Sequence, residues 1–275
     1  DGTEYDLYRD GLKIYTTIDS KMQQYAEEAV TEHLKNLQKE FFIAAKGKEN
    51  APFVDITPEQ TQQIMMQAMK NSERWRKMDL NGKTKEEIIK SFSEKAKMKI
   101  FTYQGEKDTL MTPKDSIIYY KHMLQTGMMA MEPRNGHIKA WVGGVNYKYF
   151  QYDHVGQGAR QVGSTFKPFL YATAIEQLGI SPCDSIIDSY FTMPKGKWGI
   201  DKDWSPKNSD GNYRGTTTLQ KALANSINTV SAKLIDRVGP KAVVDMAKEL
   251  GVTSDIPEQP SIALGAVDIT VEQMV

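Results

Sequence analysis

The tetrapeptide Pro133-Arg134-Asn135-Gly136 constrains this chain more than any other stretch. Asn-Gly supplies the positive φ angles of a tight reversal, which most L-residues resist. Strand-like runs flank it, Met128 to Met131 before and His137 to Val142 after, and Gly143-Gly144 closes the second. Runs joined by so short a turn pair as an antiparallel hairpin. The later text is helical in period. Early antiparallel strands followed by helices indicate an α+β fold and not a doubly wound parallel sheet.

Leu12 to Ile18 alternates and is rich in β-branched and aromatic residues, which predicts a strand. A helix follows. Ser20 with Gln23 has the form of a capping box, and Met22, Tyr25, Ala26, Ala29, Val30, His33, Leu34 and Leu37 recur at helical spacing. From residue 41 to 112 the chain turns Lys-, Gln- and Met-rich, with capping signals at Thr57-Pro58-Glu59-Gln60 and Thr84-Lys85-Glu86-Glu87. Ile64, Met65, Ala68 and Met69, then Ile88, Ile89 and Phe92, suit one-sided surface helices, and Met65-Met66 reads as core filler. The stretch is read as a helical insertion that spaces or docks. Thr112-Pro113 opens a further helix, Phe166 to Leu178 forms one that Gly179 ends, and Thr218–Ala224 and Thr229–Val238 form two more. The last opens at Gly239-Pro240 and ends at Gly251.

Composition narrows the function classes. Basic and acidic residues balance at 35 each in 275 residues, so no global field points to nucleic acid as partner. The single Cys183 forms no internal disulfide, which suits a cytosolic protein or a disulfide-free periplasmic one. The four histidines lack metal-ligand spacing, and neither metal nor cofactor is expected. No apolar run approaches the roughly 20 residues of a membrane span, and no signal peptide opens the chain. The abrupt start at Asp1-Gly2-Thr3 reads as a piece excised from something longer.

Chemistry concentrates in Gly163-Ser164-Thr165-Phe166-Lys167-Pro168. Residues three apart on a helix share a face, so the Lys167 amine can approach the Ser164 hydroxyl. A serine needs a base to become nucleophilic, and a desolvated lysine can serve. A helix N-terminus also offers N–H groups to a developing oxyanion. On these residues alone the plainer reading, Ser164 as a helix cap with a solvated Lys167, carries more weight than the catalytic one. About sixty residues later comes Ser226-Ile227-Asn228, which reads either as loop chemistry or as a proton-relaying hydroxyl beside an amide that holds substrate.

The surrounding text bears on that choice. The run from Gly158 to Ala172 resembles the active-serine region of class A penicillin-binding proteins. Trp204-Ser205-Pro206-Lys207-Asn208, with Asp210-Gly211, Tyr213, Gly215, Thr217, Leu219 and Ala222-Leu223-Ala224, resembles that family's approach to its Ser-x-Asn motif. Tyr15-Thr16-Thr17-Ile18-Asp19, Met131 to Gly136 with Val142-Gly143-Gly144, and Pro260 to Gly265 are similar to further family segments. The likeness covers residues 12–40 and roughly 113–275, and offers no counterpart for the insertion.

The resemblance implies a penicillin-recognising serine transpeptidase fold, an antiparallel sheet flanked by helices. It implies a penicillin-sensitive D,D-transpeptidase that cross-links peptidoglycan stem peptides through an acyl-serine intermediate. Ser164 would be acylated by a D-Ala-D-Ala stem, Lys167 would be the base, Ser226 the proton relay, and Asn228 a contact of substrate and lysine. β-Lactam antibiotics would acylate the same serine. The expected setting is the periplasmic face of a bacterial cytoplasmic membrane, in a parent chain anchored upstream and carrying a glycosyltransferase, with other wall-synthesis proteins as partners. A D,D-carboxypeptidase or β-lactamase-like hydrolase, and a non-catalytic β-lactam sensor or wall-binding module, are the alternatives. The family's third element, Lys-Thr/Ser-Gly, is absent from these 275 residues. The expectation is therefore a linker strand region over 1–18, the transpeptidase domain over 19–40 and 113–275 without its C-terminal half, the insertion over 41–112, and an inactive piece in isolation.

Overall fold

The structure is a computed structural model that describes residues 5, 6, 8–48 and 50–275. Of the region expected as a linker strand, residues 1–4 and 7 lie outside the described residues. The chain divides into two compact units, residues 1–128 with 132–151, and residues 129–131 with 152–275.

In the first unit, Leu12 to Ile18 is not a strand. Its side chains are exposed, Tyr15 at 90%, and it joins no ladder. Among the described residues, the Thr17 hydroxyl, donating to Ile138 O at 2.7 Å, and the Asp19 N–H, donating to Lys139 O at 3.0 Å, tie its end to β4 (His137–Val142). β propensity without a partner strand gives extended chain.

Helix α1 (Ser20–Ala45) runs beyond residue 40 and starts on a different cap from the one expected. Asp19 Oδ1 accepts the N–H groups of Lys21 and Met22, both at 3.0 Å, so Ser20 is already inside the helix. Gln23 turns instead to the sheet, where its amide accepts from Trp141 N at 2.7 Å and donates to Trp141 O at 3.0 Å. A charged carboxylate one residue upstream meets the helix dipole better than a neutral hydroxyl. The buried stripe is Ala26, Val30, Leu34 and Gln38, while Met22, Tyr25 and Leu37 are exposed. Gln38 accepts from Leu124 N at 2.8 Å and donates to His122 O at 2.9 Å.

Helices α2 (Pro58–Lys70), α3 (Glu73–Leu80) and α4 (Lys85–Ser91) follow. Thr57 with Gln60 and Thr84 with Glu87 form complete capping boxes. Met69, Ile88 and Phe92 make a small core, with Met66, Trp75, Met78 and Ile117 packed around it. The stretch is not wholly helical, because Ala96–Thr102 (β1) and Gly105–Met111 (β2) form an antiparallel hairpin. Ala96 to Ile100 alternates apolar and basic residues, a period of two inside a stretch of helical composition, and Ile100 and Phe101 are buried. Helix α5 (Pro113–Lys121) starts on the Thr112 cap and pins β1 through Tyr119 and Tyr120, whose hydroxyls meet Phe101 O and N. Strand β3 (Met128–Glu132) then leads into the expected reversal, with Gly136 at φ 71° donating to Glu132 O at 2.9 Å, and β4 follows.

The second unit holds β5 (Arg160–Gln161), α6 (Lys167–Leu178), β6 (Ser185–Asp188), β7 (Gly215–Thr218), α7 (Leu219–Ala224), α8 (Asn228–Val238), α9 (Pro240–Glu249), β8 (Asp268–Ile269) and α10 (Val271–Met274). β5 pairs with β8 and β6 with β7, both antiparallel. Helices α6, α8 and α9 enclose one core in which Phe166, Leu170, Val230, Leu234, Ile235, Val243 and Ile262 are sealed from water. The apolar α6 ends at Gly179 in the left-handed region, as its C-cap position requires. Helices and antiparallel strands together make this an α+β protein.

Candidate active site

Ser164 lies in a 3-10 turn, Gly163–Phe166, that runs into α6, so it stands just before the α-helix and not inside it. The turn is built by a close backbone approach. Gly163 N donates to Gly265 O at 3.1 Å and Val162 N donates to Val267 O at 3.0 Å, extending the β5–β8 pair. A Cβ on Gly265 would stand 1.8 Å from Gly163 O, and Gly265 has φ 73°. Only glycine fits there. Phe166 is buried and anchors the turn in the core, which leaves Ser164 exposed to solvent.

Lys167, the first residue of α6, is 0% exposed. Its amine reaches the loop between α7 and α8. Nζ stands 2.7 Å from Ser226 O, 2.9 Å from Ser226 Oγ and 2.7 Å from Asn228 Oδ1. Burial lowers its pKa from 10.5 to about 8. Ser226 is held at φ 54°, a left-handed conformation that few non-glycine residues adopt and that costs on the order of 1 kcal/mol or more. The bonds Ser226 N to Leu223 O and Ile227 N to Ala222 O, both 2.9 Å, secure that bend.

The structure thus gathers Lys167, Ser226 and Asn228 into one hydrogen-bonded group. Ser164 is tied to Lys167 through the backbone, by Lys167 N donating to Ser164 O. Its hydroxyl is not among the partners of the Lys167 amine in the described residues. Asn208 lies in the family-like run without an expected role, and Asp188 lies outside every run that carries the resemblance. Asn208 Oδ1 accepts the N–H groups of Asn228 and Thr229 at 2.9 and 3.2 Å, so it caps α8 from another loop. The run Ser205-Pro206-Lys207-Asn208 carried the signal for Asn208, whereas nothing local marked Asp188. No group of three metal-ligating side chains occurs among the described residues.

The Penicillin-binding protein middle domain model matches residues 48–124. The Penicillin binding protein transpeptidase domain model matches residues 126–262, a span that holds all four candidate residues. The chain belongs to the penicillin-binding protein family. Among relatives, the penicillin-binding protein 1A of Aquifex aeolicus is 30% identical over 278 residues, covering 97% of this chain and 36% of that protein. That of Neisseria flavescens is 27% identical over 297 residues, covering 96% and 36%. The chain therefore spans little more than a third of the length of these relatives. A crystal structure of penicillin-binding protein 1A from Haemophilus influenzae superposes with a TM-score of 0.61 at 22% identity, over 95% of this chain and 41% of that one. The fold is that of the penicillin-binding transpeptidases. The middle-domain match takes in residues 48–112, most of the stretch for which the resemblance offered no counterpart.

Proposed function

We propose that this part of the molecule performs acyl transfer through Ser164, the penicillin-sensitive D,D-transpeptidase reaction on peptidoglycan stem peptides. The observation that carries the proposal is the sealed Lys167 amine, with a pKa lowered to about 8 and three oxygen neighbours. Two of those neighbours, Ser226 O and Asn228 Oδ1, only accept hydrogen bonds. A neutral amine gives them its two N–H groups, and its lone pair then faces the Ser226 hydroxyl, which can donate to it. That is the arrangement of a base with a relay.

In this reading Ser164 Oγ attacks the carbonyl between the two D-alanines of a stem peptide. Its proton passes to Lys167 Nζ by way of the Ser226 hydroxyl, and the C–N bond breaks as the departing D-alanine amine takes a proton back through Ser226. The acyl-serine ester then yields to the amine of a second stem peptide, which restores the Ser164 hydroxyl. A β-lactam carbonyl would acylate Ser164 by the same path and stay. Asn228 combines two roles, holding the lysine and offering its amide side to the substrate backbone. We place the reaction on the periplasmic side of the cytoplasmic membrane, where peptidoglycan is. Among the described residues no helix is long and apolar enough to cross a membrane. We assign the transpeptidase domain to residues 19–40 and 113–275 and a spacing or docking task to 41–112.

A fluorescent penicillin tests the proposal on the full-length protein. Covalent label is expected at Ser164 alone, Ser164→Ala should abolish it, and Lys167→Ala should slow acylation by at least ~100-fold. Label mapped to another serine would remove the assignment.

A further inference from the structure

A buried carboxylate that the proposed reaction does not use gathers four groups around it. Asp188 ends β6 and is 1% exposed. Its Oδ1 accepts from Asn208 Nδ2 at 2.9 Å and from the Thr229 hydroxyl at 2.5 Å. Its Oδ2 accepts the Arg214 backbone N–H at 2.9 Å, with Arg214 Nη1 at 3.7 Å. Lys233, one turn along α8 from Thr229, donates to Ile187 O at 2.7 Å and Ser189 Oγ at 2.8 Å, on either side of Asp188. Burial works to raise the Asp188 pKa, but the bonds from Thr229, Asn208 and Arg214 outweigh it and hold the carboxyl below its usual value. It is ionised at neutral pH.

An ionised carboxylate only accepts. Asn208 must therefore turn its NH2 toward Asp188, where Nδ2 also donates to Asn212 O at 2.8 Å. Its Oδ1 is left to face the start of α8 and take the N–H groups of Asn228 and Thr229. Ile227, at the N-cap, makes no side-chain cap bond, so Asn208 supplies what that end of the helix lacks. Asn228 is now held by its backbone. Its Nδ2 donates to Lys207 O at 2.9 Å, which leaves Oδ1 for the Lys167 amine at 2.7 Å. Each group sets the orientation of the next, and the series starts at the carboxylate.

We infer that Asp188 is a positioning residue for Lys167, acting through the orientations of Asn208 and Asn228. The inference rests on Lys167 being the base for Ser164. A carboxylate that only stabilised the fold would, when replaced, reduce the amount of intact protein and leave the chemistry of the remainder unchanged. The positioning role moves the chemistry itself.

The test is Asp188→Asn in the full-length protein, followed with a fluorescent penicillin so that pre-covalent affinity and the acylation rate constant are resolved. Saturating label counts the intact sites. The acylation rate constant is expected to fall by about 10- to 100-fold, the effect of a misplaced catalytic group. The labelled fraction should stay near complete. The exchange Asp188→Asn with Asn208→Asp keeps one carboxylate and one amide across the pair, with an oxygen still facing α8. It should recover at least about tenfold of the lost rate. A wild-type rate constant in Asp188→Asn, a loss confined to the labelled fraction, or an exchange variant no faster than the single one would each overturn the inference. Should Asp188→Asn yield no labelled protein, the exchange variant decides, with acylation within about tenfold of wild type supporting the role and absent acylation overturning it. Ser164→Ala and Lys167→Ala in the same assay report on the reaction. If Ser164→Ala still labels, or Lys167→Ala is as fast as wild type, the reading of the site fails whatever Asp188 does. If both behave as expected and Asp188→Asn does not, only Asp188 loses its role.

Discussion

Lys167 combines full burial with three oxygen neighbours, and the two effects pull apart. Burial disfavours the ammonium, and the pKa falls to about 8. The oxygens keep either protonation state hydrogen-bonded, so the amine can lose and regain a proton without leaving an orphaned group. General-base catalysis needs the neutral amine. Acylation of Ser164 is therefore expected to rise about tenfold per pH unit below 8 and to level off above it. A pH profile of the acylation rate constant checks this, and a rate independent of pH between 6 and 9 would remove Lys167 as the base. The same shift bears on stability. Between about 8 and 10.5 the unfolded chain holds the proton that the folded one has released, so stability rises with pH across that window, by at most about 1.4 kcal/mol per unit. Lys167→Met should abolish that rise in the thermal midpoint.

The elements around the site are short, and they depend on contacts between segments distant in sequence. The turn bearing Ser164 lasts four residues and would not persist alone. Gly265 holds it from the far end of the unit, with its backbone against Gly163. Gly265→Ala would meet that backbone and also force alanine to positive φ. It should cost at least about 2 kcal/mol, seen as a lowered thermal midpoint, and should slow labelling of Ser164 in the protein that stays folded. A variant that melts and labels like wild type would show that the close approach does not hold the turn. Helix α8 depends on a borrowed cap in the same way. The capping boxes at Thr57 and Thr84 are self-contained, which is why they could be read along the chain.

At the scale of the molecule, the two units carry separate cores, and all four candidate residues lie in the second. Phe92, 2% exposed, belongs to the small core of the first unit. Phe92→Ala should destabilise that core by about 3–5 kcal/mol. The acylation rate constant of Ser164 in the labelled fraction should remain within about twofold of wild type, since among the described residues the hydrogen bonds of Lys167, Ser226 and Asn228 do not reach that core. Stopped-flow labelling combined with a thermal scan measures both. A large loss of rate at full labelling would mean that the first unit shapes the site.

The residues alone determined what is local. Asn135-Gly136 compelled a reversal, Thr57, Thr84 and Thr112 began helices, and Gly179 ended one, because each of these rests on bonds within a few positions. The α+β class followed from the same signals. The spacing of Ser164 and Lys167 was legible too, with the surrounding text resembling a known active-serine region. Tertiary structure decided the rest. Leu12 to Ile18 has strand propensity but found no ladder, and Gln23, fit for a cap, was claimed by Trp141. The Ala96–Met111 hairpin escaped a reading that followed helical composition past it. The Lys167 amine went to Ser226 and Asn228 across about sixty residues, and the buried Asp188 that orients them carries no sequence signal. A hydrogen bond between distant segments leaves no periodicity behind, and a burial that moves a pKa exists only once the core has closed over it.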